Sequence, residues 1–267
     1  VFSSMRPRVK PPVAAPVPPA TGRPPIPHTA LLVPFNRRSP LGRLRLSLIS
    51  HLARLFANRM VQGDRHGATL HFRPVATHRD WQGVCELRLS GYGATIPYML
   101  DVLDAWGQDP YDRRSFVFAI WQDDQAIATI RYTTAPFEVS QYVALGPDPD
   151  RFPGLDPAKT VEFSRLLIRP GCELNRLMPA LVTYSGLVMM FCTPFRHYVC
   201  YAKEAVVRKL SAFNCVLGNI SFTIPERGDH LYEFVFGSFA EGAGQLLTRT
   251  IRPARLALAL KTLLPRQ

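Results

Sequence analysis

The stretch TVEFSRLLIRP, residues 160–170, constrains the fold more than any other segment. Val161, Phe163, Leu166, Leu167 and Ile168 suit a core strand, yet Glu162 and Arg165 sit among them. A buried charge without a partner costs several kcal/mol, so each of the two needs an opposite charge or a ligand. Three positions apart on a regular strand they point to opposite faces, so they do not form a simple local pair.

Elements of alternating type surround this strand. ATLHFRPV (68–75) reads as a strand, and THRDWQGVCELRLSGY (77–92) as a helix with Thr77 at its N-cap. Residues 115–134 read as a hairpin, two apolar strands joined by a Gln-Asp-Asp-Gln turn. Residues 135–159, rich in Pro, Gly and Asp, read as a long loop. After the strand at 160–169 come a helix (174–192), a short strand (197–202), a helix (203–214) and a closing strand (230–239). This order predicts an α+β, or mixed α/β, fold with a partly antiparallel sheet. The chain of 267 residues is long enough for one large domain with extensions. The domain is placed at 64–241, preceded by a Pro-rich arm (1–34) and a basic amphipathic helix (35–63) and followed by a basic helix (242–267).

The formal charge of +12 belongs to the ends. Residues 1–63 hold ten Arg and Lys, residues 242–267 hold five, and neither segment has an acid, so the domain between them is slightly acidic. That argues against a nucleic-acid-binding fold, which carries its basic face on the domain itself. Basic ends suit an anionic membrane surface or an acidic partner. In residues 41–60, Leu41, Leu44, Leu48, Leu52, Leu55 and Phe56 share a helical face, which suits either packing on the domain or a membrane surface. The absence of a membrane-spanning run and of a leader pattern points to the cytoplasm, with peripheral contact at the inner membrane face as an option. Five cysteines without a CxxC pair argue against a zinc site or a disulfide framework, and no metal is expected. GxGxxG, Walker, HExxH and GxSxG motifs are missing, which removes the best support for dinucleotide, P-loop, zinc-protease and esterase readings.

The block DPYDRRSFVFAIWQDDQAIATIRYTT, followed after a loop by VEFSRLLIRPG, resembles the N-acyl amino acid synthases and the related acyl-homoserine-lactone (autoinducer) synthases. The resemblance spans about residues 68–240 and implies a GNAT-like acyltransferase fold. It matches the family's polar positions to Asp109 and Asp112, Arg131, Glu162 with Arg165, and Arg88. It implies N-acylation of a small amine by a fatty acyl group carried on acyl carrier protein, with no cofactor. The N-acyl amino acid branch, with an amino acid as acceptor, is the primary reading; a homoserine-lactone synthase and a non-catalytic membrane-associated scaffold are the alternatives. RPGCELNRLMPA, where coenzyme A enzymes carry a glycine-rich phosphate loop, has a single glycine, Gly171, which favours a carrier-protein donor.

Acyl transfer from a thioester to an amine assigns tasks to these residues. Glu162 is the candidate general base, or grips the amine. Arg131 suits the acceptor carboxylate, and Arg165 pairs with Asp109 or Asp112 beside the acceptor pocket. Phe116, Phe118, Phe163, Leu181, Met189, Met190 and Phe191 are candidates for the acyl-chain tunnel. Arg169, Arg176, Lys203, Arg208 and Lys209 are candidates for a patch that receives the acidic carrier. His197 and His230 are alternative bases, and Tyr184 and Tyr201 candidate hydrogen-bond donors.

Overall fold

The structure, a computed structural model, describes residues 40–61, 69–143, 155–172, 176–228 and 230–250. The Pro-rich arm, the middle of the loop expected at 135–159 and the end of the helix expected at 242–267 lie outside them. The strands are β1 (Leu70–Pro74), β2 (Ser115–Gln122), β3 (Gln125–Thr133), β4 (Thr160–Ile168), β5 (His197–Lys203), β6 (Val216–Thr223) and β7 (Leu231–Ser238). The helices are α1 (Pro40–Val61), α2 (His78–Thr95), α3 (Leu177–Cys192), α4 (Glu204–Leu210) and α5 (Phe239–Thr250). The strands form one sheet in the order β1-β2-β3-β4-β5-β7-β6. Neighbours run antiparallel except β4 and β5, which are parallel.

Local chemistry sets several of these elements. Thr77 caps α2 in a capping box: its hydroxyl accepts from the Asp80 amide, and Asp80 accepts from the Thr77 amide. Asp123 and Asp124 both adopt positive φ and close the expected β2–β3 hairpin in two residues. Gly83 and Gly91 let α2 lie close on the sheet, since a Cβ at either would collide with Trp121 or Leu167. One face of the sheet packs Phe72, Phe118, Ile130 and Tyr132 against Tyr184 and Met189 of α3. The other packs Val117, Trp121 and Leu167 against Trp81 and Val84 of α2.

Two expectations change. β6 lies where no element was expected, because it is an edge strand with a half-polar sequence and a register shift between Leu217 and Ser221. In α1 the leucine stripe is not the face that packs on the domain. The helix buries Ser50, Ala53, Ala57 and Val61 and leaves Leu41, Leu44, Leu48, Leu52 and Leu55 exposed.

Candidate active site

The charged pair in β4 is resolved by a bulge. Arg131 of β3 faces Ser164 and Thr129 faces Leu167, so β4 carries one extra residue between them. Arg165 takes it up with φ 52°. The extra residue shifts the alternation: Phe163 faces α3, while Leu167, an even number of residues on, faces α2. Glu162, Ser164 and Arg165 therefore converge on the α2 face, which corrects the expectation that Glu162 and Arg165 point apart.

Four guanidiniums and four carboxyls meet there. Asp109 caps the turn Pro110–Arg114, and Asp112 accepts from the Asp109 amide at 2.9 Å, so the turn orients both carboxylates. Arg88 of α2 grips Asp112 with two hydrogen bonds, 2.5 and 3.1 Å. Asp109 lies 2.6 Å from Arg131 Nη1 and accepts from Arg165 at 2.5 and 2.8 Å. Glu138 accepts from Arg131 at 2.8 Å on one oxygen. On the other it accepts from Arg165 (3.1 Å), Arg227 (3.2 Å) and the Tyr201 hydroxyl (2.9 Å). Burial pushes the Asp109 and Glu138 carboxyls up, but Arg165 and Arg131 outweigh it and hold both below the ordinary carboxylate range.

Glu162 is held differently. One oxygen accepts from the backbone amides of Glu138 and, at 3.3 Å, Val139. The other is buried without a hydrogen-bond partner. Burial, followed by the neighbouring Glu138 carboxylate, raises its pKa to about 7; Arg131 and the two amides pull the other way. Such a carboxyl can take and release a proton near neutrality.

Glu162 also marks where the sheet opens. The β4–β5 register is Thr160 with His197, Val161 with Tyr198, and Glu162 with Val199, where it ends. Beyond it lies a cleft of about 280 Å³ between Phe163–Leu166 of β4 and Cys200–Lys203 of β5, walled by Tyr98, Met99, Arg227 and Tyr232. Across the sheet lies an apolar cavity of about 290 Å³ between α1, α3 and α5, lined by Leu52, Phe56, Gly186, Leu187 and Phe239 among others. Phe163 lines both.

The expected residues are distributed unevenly over this arrangement. Asp109 and Arg165 pair as expected. Arg131 is fully buried and occupied by Asp109, Glu138 and Ser164; like Glu162, also fully buried, it lines neither space. Of the expected tunnel residues, Phe163 and Phe191 line the apolar cavity. Phe118, Leu181 and Met189 are solid core, and Phe116 and Met190 pack on that core. Lys203 lines the cleft, and Arg208 and Lys209 are exposed on α4, whose Val206 and Leu210 line it too. Arg169 instead donates to Gln125 and to the Ala126 carbonyl, and Arg176 is exposed at the start of α3. His197 stands at the paired end of β5 and His230 is exposed; neither lines the cleft. Tyr184 bonds Ser50 within the core, whereas Tyr201 stands in the cleft.

Glu138 and Arg227 were not anticipated. Glu138 had a signal, since it sits between Phe137 and Val139, both buried. Nothing in PERG sets Arg227 apart.

No protein-family model and no curated protein matches the sequence. Solved structures do. FeeM, an N-acyl amino acid synthase from uncultured soil microbes, aligns over 69% of this chain and 99% of its own at 11% identity, with a TM-score of 0.52. The acyl-homoserine-lactone synthase LasI aligns over 65% and 91% at 17% identity, with a TM-score of 0.45. Escherichia coli ElaA aligns over 63% and 99% at 11% identity, also with a TM-score of 0.45. The mixed, largely antiparallel sheet with flanking helices is thus a fold shared with FeeM, in keeping with the GNAT-like fold expected from the sequence.

Proposed function

We propose that this protein is an N-acyltransferase that moves a long acyl chain from acyl carrier protein to the amine of an amino acid. One observation carries the reading. A buried carboxyl with an unpartnered oxygen and a pKa of about 7, Glu162, is the last paired residue before β4 and β5 part; it lines neither space itself, but the next residue, Phe163, lines both the cleft and the apolar cavity. The acceptor amine and the thioester would meet in the cleft, and the hydrocarbon would pass Phe163 into the cavity. As nitrogen attacks the carbonyl carbon, Glu162 takes the proton from nitrogen, directly or through water. The carbonyl oxygen becomes an anion, stabilised by backbone N–H groups on the parted strand edges. The oxyanion then collapses, the C–S bond breaks, and the departing thiolate takes up the proton held by Glu162, directly or through water, which restores the carboxylate.

With Arg131 occupied, Arg227 is the guanidinium best placed for the acceptor carboxylate. It lines the cleft and is tethered by Tyr201 at 2.8 Å. Arg227→Gln should raise KM for the amino acid by roughly 10- to 100-fold, the worth of a charge-assisted hydrogen bond, with a smaller change in kcat. Steady-state kinetics with the acceptor varied check this; an unchanged KM would remove Arg227 from acceptor binding.

The start of α3 supports the carrier-protein donor. Pro179 in its first turn offers no N–H. A pyrophosphate cradle needs such donors. Lys203, Arg208 and Lys209 supply positive charge beside the cleft for an acidic carrier.

The cavity should set chain length. A Cβ on Gly186 would meet Phe239 at 3.6 Å, an ordinary contact, so a longer side chain there projects into the cavity. Gly186→Leu should therefore exclude about three methylenes. At about 0.8 kcal/mol each, long-chain donors would lose roughly 50-fold in kcat/KM while short ones are spared. Equal losses for short and long donors would place the chain elsewhere.

Mass spectrometry of products tests the reading as a whole. The purified protein is incubated with a mixed pool of acyl carrier thioesters and the common amino acids, with S-adenosylmethionine in parallel. An N-acyl amino acid is expected. An acyl lactone formed from S-adenosylmethionine would favour the homoserine-lactone alternative, and no acyl product would favour a scaffold.

A further inference from the structure

The outward face of α1 combines two features. Leu41, Leu44, Leu48, Leu52 and Leu55 form a continuous stripe about 21 Å long, from 78% exposed at Leu41 to 51% at Leu55. Arg45 and Arg59 are exposed on the leucine side of the helix and Arg43 on the opposite side near its start; the helix contains no Asp or Glu. Exposed aliphatic surface of this extent marks an interaction site. The stripe also reaches the apolar cavity. Leu52 is half exposed and lines it, and so does Phe191, 43% exposed, on the neighbouring α3.

We infer that α1 docks on an anionic lipid bilayer, leucines in the acyl region and arginines at the headgroups, with the cavity mouth held against lipid. Charge selects this occupant. A second copy of α1 would set arginines against arginines. Residues 251–267 carry only basic charges and would repel the helix as well. An acidic carrier protein already has a basic approach at Lys203, Arg208 and Lys209 beside the cleft. Residues 1–39, joined to α1, add six more Arg and Lys and no acid, and so further favour a negative surface. Docking stands on the helix alone. Only its consequence, that an acylated product leaves sideways into the bilayer, rests on the proposed acyl transfer.

The test is co-sedimentation of the full chain with vesicles of phosphatidylcholine alone or mixed with phosphatidylglycerol. The two arginines on the leucine side should give at least roughly 30-fold tighter binding to the anionic vesicles. Leu44→Glu with Leu48→Glu, both exposed and outside the cavity lining, should weaken that binding at least about tenfold with the circular dichroism unchanged. In Leu48→Trp, brominated acyl chains should quench the new emission. Equal binding to both vesicles, no effect of the glutamates, or no quenching would overturn the proposal. So would loss of a dimer, or of carrier-protein binding, as the sole effect of the double variant. Vesicle binding is scored without substrates, so it stands or falls separately from acyl transfer.

Discussion

Glu162→Gln should lower the rate of acyl transfer by about 10²- to 10⁴-fold and, at alkaline pH, make the protein more stable. Both effects come from one feature, a carboxyl buried beside another carboxylate with one oxygen unpartnered. Its pKa of about 7 in the fold exceeds the ordinary 4.5 of the unfolded chain. The folded state therefore keeps the proton across that window. The stability that comes with it is complete below about 4.5 and is lost as pH rises through about 7. At pH values above the window the loss amounts to roughly 3 kcal/mol. Glutamine keeps the carbonyl that accepts from the Glu138 and Val139 amides but cannot ionise. Urea titrations should show the variant gaining up to roughly 3 kcal/mol over wild type above neutrality, progressively less through mild acid, and nothing below about 4.5. A rate loss under about threefold would deny the proton-transfer role. Equal stability of the two proteins at all pH values would deny the raised pKa.

Asp109→Ala should have the largest effect on folding. Asp109 is the carboxylate that Arg131 and Arg165 share, and all three are buried. Removing it leaves two buried guanidiniums short of a partner. Breaking a buried pair in this way costs about 3–5 kcal/mol, a large part of the roughly 5–15 kcal/mol that holds a domain together. Joint removal of opposite charges, Asp109→Asn with Arg165→Gln, should cost less than the two single changes added together. Because arginines hold Asp109 and Glu138 below the ordinary carboxylate range, their contribution is present at neutral pH and is lost as pH falls through their depressed pKa values. Chemical denaturation of the four variants gives the coupling directly. A loss under about 1 kcal/mol for Asp109→Ala would mean that the network contributes little to the fold.

The sequence disclosed most of the frame because the signals that carried it are local. The Thr77 cap with Asp80, the Asp123–Asp124 turn and the apolar run of β4 each act within a few residues. The requirement that Arg165 find a carboxylate was also readable, since burial of a charge demands it, and Asp109 answers it. What stayed hidden depends on a phase or on a distant surface. The bulge at Arg165 turns Glu162 and Arg165 to one face, and nothing in a period of two announces it. α3 is apolar nearly all round, so its sequence does not mark which side lines a cavity, and Leu181 and Met189 proved to be core. In α1 the leucine stripe was plain, but burial falls on Ala53 and Ala57, because small residues let the helix lie close on α3.

The most direct measurement is the pH dependence of kcat/KM for acyl transfer from an acyl carrier thioester to an amino acid, in wild type and in Glu162→Gln. The amine's own ionisation is common to both proteins, so a difference between the profiles isolates the carboxyl. The expected wild-type rate climbs as pH rises through about 7, and that limb is missing from the variant. Two profiles of the same shape, or no transfer by the wild type at any pH, would contradict the assignment of Glu162 as the base of an acyl transfer at the β4–β5 opening.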